Sequence, residues 1–274
     1  MKNAKIERKP MVNLEVECPC LSVIMPVFNE EATLEKIVGK VLDVPHLFEL
    51  IIVDDCSTDR TSHIAKNLAD KDPKIRYFSL SKNRGKTDAL KKGFAQAKGD
   101  IVVIQDADLE YDPDEIKGVI APILEGHADV VYGSRFMIKR AARVLYHNHY
   151  VANKFLTFLS NSLTNLNFSD VETCYKAFRG EIIRNMKITS RGFGFEIEVT
   201  AKVAKLGCAV YEVPISYYGR TYEEGKKIGY KDGLAALFYV FKYNWLTSVN
   251  GSFGNITSVR ATLRKELLSD DGNI

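Results

Sequence analysis

The sequence predicts an α/β fold: a mostly parallel central sheet flanked by helices, with amphipathic helices toward the carboxyl terminus. Two observations carry this. Apolar strand-like runs alternate with helix-like stretches between residues 20 and 135. Polar, Asp-rich segments follow several of those runs, as a ligand cleft shared by the carboxyl ends of the strands requires.

Taken in order, residues 1–19 read as a disordered or extended tail. Leu21 to Pro26 is an apolar strand, and Asn29 and Glu30 open a helix that runs through Leu42. Leu50 to Val53 is a second strand, ending in Asp54-Asp55, and Ser57 to Asp59 supply capping side chains for a helix through Leu68. Ile75 to Leu80 is a third strand, Asn83 to Lys86 a loop, and Thr87 to Ala97 a helix stopped by Gly99. Ile101 to Ile104 is the fourth strand and Val130 to Tyr132 a further one, with a helix from Asp112 to Glu125 between them. Asp112 and Asp114 flank Pro113, the pattern of a capping acid before a first-turn proline.

After Arg135 the rhythm changes. Ala141 to Leu166 reads as a long amphipathic helix, Asp170 to Arg179 as mixed strand and loop, and Phe195 to Leu206 as a helix. Ala209 to Pro214 is an edge-type strand, since its proline is tolerated only at a sheet edge or a strand end. Tyr230 to Val249 is the last amphipathic helix. Residues 20–250 are expected to form one domain, with 251–274 a polar carboxyl-terminal tail.

Composition narrows the functional classes. With 46% hydrophobic and 27% charged residues, the chain belongs among globular proteins. A net charge of +3 is too small to argue for nucleic acid. Five scattered cysteines do not form a disulfide framework, so a reducing, cytoplasmic setting is expected. No apolar signal segment follows Met1, and no stretch approaches the roughly 18–20 apolar residues of a spanning helix. Attachment to the cytoplasmic face of a membrane remains compatible with this. Oligomeric state is left open, a homodimer included.

The strongest functional signal is Asp106-Ala107-Asp108, placed directly after the Ile101–Ile104 run. Two carboxylates at a strand tip fill a core poorly, but they hold a divalent cation well. Hard oxygen donors suit Mg²⁺ or Mn²⁺, ions that commonly also bind substrate phosphates. Phe28 with Glu30, and Asp54 with Asp55, stand at the ends of the first two strands, where a nucleobase and ribose would be met. Arg135 follows Gly133-Ser134 at another strand end and is shaped for a phosphate. Arg220, Lys226 and Lys227 lie in a glycine-containing loop that reads either as a solvated segment or as a lid on a diphosphate. His147 and His149 lack a third zinc ligand at suitable spacing; packing or a phosphate contact are the alternatives. A dinucleotide oxidoreductase is disfavoured, because Pro26 to Glu30 stands where a Gly-x-Gly-x-x-Gly turn would be.

The set Pro26-Val-Phe-Asn-Glu30, Val53-Asp-Asp-Cys-Ser-Thr-Asp59, Asn83-Arg-Gly-Lys86, Asp106-Ala-Asp-Leu-Glu110 and Gly133-Ser-Arg135 occurs in this order. It resembles the family 2 glycosyltransferases with a GT-A fold. Within them it is most similar to the dolichol-phosphate mannosyltransferase and polyprenyl-phosphate glucosyltransferase branch. The resemblance implies a UDP- or GDP-hexose donor, a divalent metal and inversion at the anomeric carbon. It places Pro26, Phe28, Glu30, Asp54, Asp55, Lys86 and Ala107 at the nucleotide-sugar site, and Asp106, Asp108 and Glu110 at the metal. Glu110 stands where the mannosyltransferases often carry Gln. Arg220 and Lys227 match the donor diphosphate, and Arg135 the acceptor phosphate, with Arg143 or His149 as its second partner.

A polyprenyl phosphate acceptor needs no protein base, since a phosphate monoester with a second pKa of about 6 is already anionic. Its lipid tail needs an apolar surface. Phe155, Leu156, Phe158, Leu159, Leu237, Phe238, Phe241 and Trp245 beside lysines fit a membrane-surface helix, and equally fit packing on the sheet. A saccharide hydroxyl acceptor would instead require a base, for which Asp170, Glu172 and Glu198 are candidates. A non-catalytic nucleotide-sugar binding protein is the remaining alternative; the intact Asp106/Asp108 pair argues against it.

Overall fold

The computed structural model describes residues 19–137, 146–219 and 230–268. Its strands are β1 (Leu21–Val27), β2 (Leu47–Asp54), β3 (Ile75–Ser79), β4 (Ile101–Ile104), β5 (Val130–Ser134), β6 (Lys176–Arg179) and β7 (Val210–Pro214). Its helices are α1 (Leu34–Leu42), α2 (Thr61–Lys71), α3 (Lys86–Gln96), α4 (Ile116–Leu124), α5 (His147–Thr164), α6 (Gly180–Asn185), α7 (Phe195–Leu206), α8 (Tyr230–Trp245), α9 (Val249–Ser252) and α10 (Ile256–Leu268).

The strands form one seven-stranded sheet in the order β3-β2-β1-β4-β6-β5-β7. Every pairing is parallel except those of β6, which runs antiparallel to both β4 and β5. The central strands are apolar almost without a break because both faces are covered. Val23, Met25, Leu50, Ile52, Ile101 and Val103 point to the side of α1, α2 and α4. Ile24, Ile51, Val53, Val102 and Ile104 point to the side of α3, α6 and α7. Gly93 lets α3 lie close on β1: a Cβ there would stand 2.3 Å from Ile24 Cγ2. Pro214 is the last residue of β7, which is an edge strand.

Several boundaries differ from the expectation, for local reasons. The first helix begins at Leu34 rather than near Asn29. Asn29 has φ 55° and its Oδ1 accepts the Thr58 N–H at 2.8 Å, so it ties the exit of β1 to the exit of β2 instead of capping a helix. The second helix begins at Thr61 and continues to Lys71; Asp59 Oδ1 accepts the Thr61 N–H at 2.9 Å. The helix expected over Ala141–Leu166 is described from His147 to Thr164, and residues 141–145 lie outside the described residues. The last long helix stops at Trp245, and Ser248 caps α9. Residues 256–268, expected within a polar tail, form α10 and bury Val259. The tail expected at the amino terminus lies outside the described residues, apart from Pro19.

One consequence of the topology sets the site. The parallel strands β1, β2, β4 and β5 end at one edge of the sheet. Because β6 is antiparallel, the loop that enters it, residues 170–175, arrives at that same edge.

Candidate active site

Four strand ends and the loop into β6 meet at the carboxyl edge of the sheet. At the β1 and β2 exits the two loops are laced together. Glu30 N–H donates to Thr61 Oγ1 at 2.8 Å, and Asn29 N–H to Ser57 Oγ at 3.0 Å. Both aspartates at the end of β2 are buried, and both are engaged by the protein itself. Asp54 accepts from Ser57 N–H and Oγ–H at 2.9 and 2.6 Å and from the Tyr77 hydroxyl at 3.1 Å. Asp55 accepts from the Arg84 and Gly85 amides at 2.8 and 2.7 Å. Burial nonetheless raises the Asp55 carboxyl above its ordinary range, against those hydrogen bonds. Asp55 therefore shapes the Asn83–Lys86 loop, and any nucleotide group meeting either acid must share an oxygen already in use.

That loop delivers Lys86. Gly85, at φ 88°, turns the chain into α3, and Lys86 is the first residue of the helix. Its ammonium donates to the Asp106 carboxylate at 2.7 Å and lies 2.8 Å from Cys174 Sγ. Burial alone would lower its pKa, but the Asp106 charge, with Cys174 and Glu196 behind it, outweighs that and holds Lys86 firmly charged. Thr87 Oγ1–H donates to Gly192 O at 2.6 Å, fastening the start of α3 to the turn before α7.

Asp106 and Asp108 leave the end of β4, as expected. Asp108 Oδ1 accepts the Glu110 N–H at 3.1 Å, and Leu109 between them sits at φ 62°. The Glu110 carboxylate accepts the Tyr217 hydroxyl at 2.8 Å. Asp106 and Asp108 stand one residue apart at the strand tip, with Glu110 two residues on. Their chemistry suits a hard divalent ion that keeps several waters and shares itself with substrate phosphates. The contact with Lys86 shows that Asp106 already attracts a cation.

Arg135, beyond β5, is held rather than loose. Its Nε and Nη2 donate to Asp170 at 2.7 and 2.8 Å, and its backbone N–H to the same carboxylate at 3.1 Å. The two side chains are 10% and 0% exposed. Asp170 keeps the guanidinium charged despite burial. Among the described residues, two of its five N–H groups are used, by Asp170. The guanidinium also lies 5.2 Å from the Tyr217 ring centre and 5.7 Å from that of Phe136. Phe136 meets Tyr150 edge-on at 5.3 Å, and Lys154 lies over it at 4.4 Å, so α5 begins beside the site. His149 sits in the first turn of α5, its ring 6.0 Å from Tyr146. Arg143, Arg220, Lys226 and Lys227 lie outside the described residues.

The three carboxylates expected as bases separate. Asp170 is bound to Arg135. Glu198 accepts from Thr189 N–H, Ser190 N–H and Lys202 and clamps α7 to the segment before it. Glu172 alone keeps a buried oxygen with no partner among the described residues. Burial first, then the Glu196 charge, pushes its carboxyl up to about 8. Sequence reasoning missed Glu196, which lies in the first turn of α7 and has no local signal of function. It also missed the role of Asp170 as the partner of Arg135, because the two are separated by 35 positions.

The family model described as Glycosyl transferase family 2 matches residues 22–186. An undecaprenyl-phosphate mannosyltransferase of Micrococcus luteus is 28% identical over 216 residues, covering 75% of this chain and 86% of that protein. A dolichol-phosphate mannosyltransferase of Pyrococcus furiosus is 29% identical over 217 residues; the match covers 76% of this chain and only 59% of the relative. Among solved structures, the glucosyl-3-phosphoglycerate synthase of Mycobacterium tuberculosis in complex with Mn²⁺, UDP and glucosyl-3-phosphoglycerate aligns with a TM-score of 0.62. That match has 22% identity and covers 82% of this chain and 80% of the other, a likeness of fold.

Proposed function

The chain belongs to glycosyltransferase family 2, and from that premise we propose that it moves a hexose from a UDP- or GDP-hexose to a polyprenyl phosphate, with inversion. The observation that carries this is the pairing of two opposite features on one sheet edge. Asp106, of the Asp106/Asp108 pair at the end of β4, meets the Lys86 ammonium, and Arg135 is held charged at the end of β5. The mannosyltransferase relatives, whose names specify lipid-phosphate acceptors, support the acceptor assignment.

The reaction asks the site to bring two anions together. The acceptor phosphate is its own nucleophile near neutral pH, so no carboxylate need remove a proton. Arg135, aimed by Asp170, seats that phosphate with its remaining N–H groups. Lys86 offers an ammonium to the donor diphosphate, reached from the start of α3. Asp106 and Asp108 would hold Mg²⁺ or Mn²⁺, which when bound neutralises charge on the departing nucleoside diphosphate. Holding both reactants in line is worth on the order of 7–11 kcal/mol of barrier.

The acceptor places the work at a membrane, at its cytoplasmic face. No described helix is long and apolar enough to cross one. Exposed aromatic side chains on α5 and α8 (Tyr150, Phe155, Phe158, Phe238, Phe241 and Trp245) supply a surface for the lipid interface. Arg143, His149, Arg220 and Lys227 complete the phosphate contacts in this reading, and Pro26, Phe28, Glu30, Asp54, Asp55 and Ala107 the nucleotide contacts.

A second reading, transfer to a saccharide hydroxyl, is favoured by one observation, the uncommitted oxygen of Glu172 with its raised pKa. The test is a donor and acceptor screen with Mn²⁺ present and absent. Transfer to polyprenyl phosphate that Asp108→Asn abolishes, without loss of folding, supports the first reading. Transfer to free sugars alone would replace it with the second.

A further inference from the structure

One buried polar cluster beside Asp106 plays no part in holding either phosphate group. It consists of Glu172 and Thr173, adjacent in the loop entering β6, and Glu196, in the first turn of α7, whose charge acts on Glu172. Glu196 is 5% exposed, and its Oε2 has no hydrogen-bond partner among the described residues. The same is true of Glu172 Oε1 and Thr173 Oγ1. Native proteins seldom leave such groups unsatisfied, and each one costs stability unless a ligand or water completes it. The cluster is also next to the chemistry: the Glu196 charge acts on Lys86, which touches Asp106. Beneath it, Lys176 is spent on the backbone, donating to Val171 O at 3.1 Å and to Thr173 O, with its ammonium 4.8 Å from the Tyr132 ring centre.

The chemistry of these three groups specifies the ligand. The Glu196 carboxylate calls for an O–H donor, and the Glu172 carboxyl and Thr173 hydroxyl for oxygens that can also accept. An anion beside the Glu196 carboxylate would be repelled, so neither the diphosphate nor a carboxylated sugar fits there. We propose that Glu172, Thr173 and Glu196 bind the hydroxyls of the transferred sugar and select a neutral hexose over a uronic acid. This rests on the donor half of the proposed function and adds the contact that recognises the sugar. Glu172, mostly protonated near neutral pH, donates to a sugar oxygen, and Glu196 accepts from a sugar hydroxyl. Vicinal hydroxyls of a hexose ring suit such a pair.

The test measures donor binding by calorimetry with Mn²⁺ and without any acceptor, so that a role as base has no influence. UDP-glucose is compared with UDP, and GDP-mannose with GDP, on the full chain and on Glu172→Gln and Glu196→Gln. The expected result is that the sugar nucleotide loses about tenfold in affinity in Glu196→Gln, the scale of one hydrogen bond to a charged group. The bare diphosphate should bind within about twofold of wild type, which also reports an intact fold. UDP-glucuronate should bind better to Glu196→Gln than to wild type, the reverse of UDP-glucose, and Glu172→Gln, which removes no charge, should leave it unchanged. If both variants bind sugar nucleotide as tightly as wild type, the proposal is overturned, and a loss of turnover alone would then assign Glu172 to base chemistry. Equal weakening of sugar nucleotide and bare diphosphate would overturn it too. A wild type that binds no nucleotide with Mn²⁺ would overturn the donor reading itself.

Discussion

Replacing Asp170 with Asn tests whether the arginine beyond β5 is aimed by its partner. The two side chains are almost fully enclosed, and two N–H groups of Arg135 meet Asp170 at 2.7 and 2.8 Å. Asparagine keeps the shape but removes the charge and turns an amide donor toward a guanidinium. Breaking one side of a buried pair costs about 3–5 kcal/mol, since the partner is left charged and uncompensated. At ~2–4 °C per kcal/mol, a loss of 3 kcal/mol lowers the melting midpoint by roughly 6–12 °C. Urea unfolding followed by far-UV circular dichroism measures this. Lys91→Gln, which breaks the partly exposed Lys91–Asp88 pair, serves as the control and should change stability by less than about 1 kcal/mol. In transfer assays, Asp170→Asn should raise KM for the acceptor phosphate while donor binding stays as in wild type. An Asp170→Asn protein as stable as the control, with acceptor KM unchanged, would refute the idea that this pair organises the acceptor side.

Three further outcomes are expected. Glu172 has a folded pKa of about 8, above the ordinary value of 4.5, so the native state binds more protons than the unfolded chain across that interval. Its contribution to stability is therefore fully present below about pH 4.5 and is lost as pH rises through 8. Glu172→Gln should gain on wild type as unfolding is repeated from pH 5 to pH 8, and parallel pH profiles would count against the assignment. Gly93→Ala should destabilise by about 1–3 kcal/mol in chemical unfolding, because the new Cβ meets Ile24 at 2.3 Å. Replacing Trp245 and Leu246, 68% and 81% exposed, with Ser should leave folding unchanged and reduce flotation with anionic liposomes; undiminished flotation would move the membrane contact elsewhere.

What the sequence by itself determined is whatever is encoded by spacing along the chain. Ile101 to Ile104 can only be a strand buried on both faces, and the two aspartates after it then fall at a strand tip. The five motifs in register identified the family for the same reason, since each lies within a few residues at the end of one element. Pro214 marked its strand as an edge or as ending there, and both hold for β7. Helix starts were less legible: Asn29 has a capping residue's chemistry but uses it on Thr58, twenty-nine positions away.

Only the tertiary structure decided which side chains share charge. Antiparallel β6, inserted between β4 and β5, carries residues 170–175 back to the carboxyl edge, and nothing in the local pattern of Lys176–Arg179 announces that direction. That one reversal sets Asp170 on Arg135, Cys174 on Lys86 across 88 positions, and Glu172 near Glu196. Electrostatic partners are chosen by proximity in space, and hydrophobic periodicity reports only which face a residue occupies.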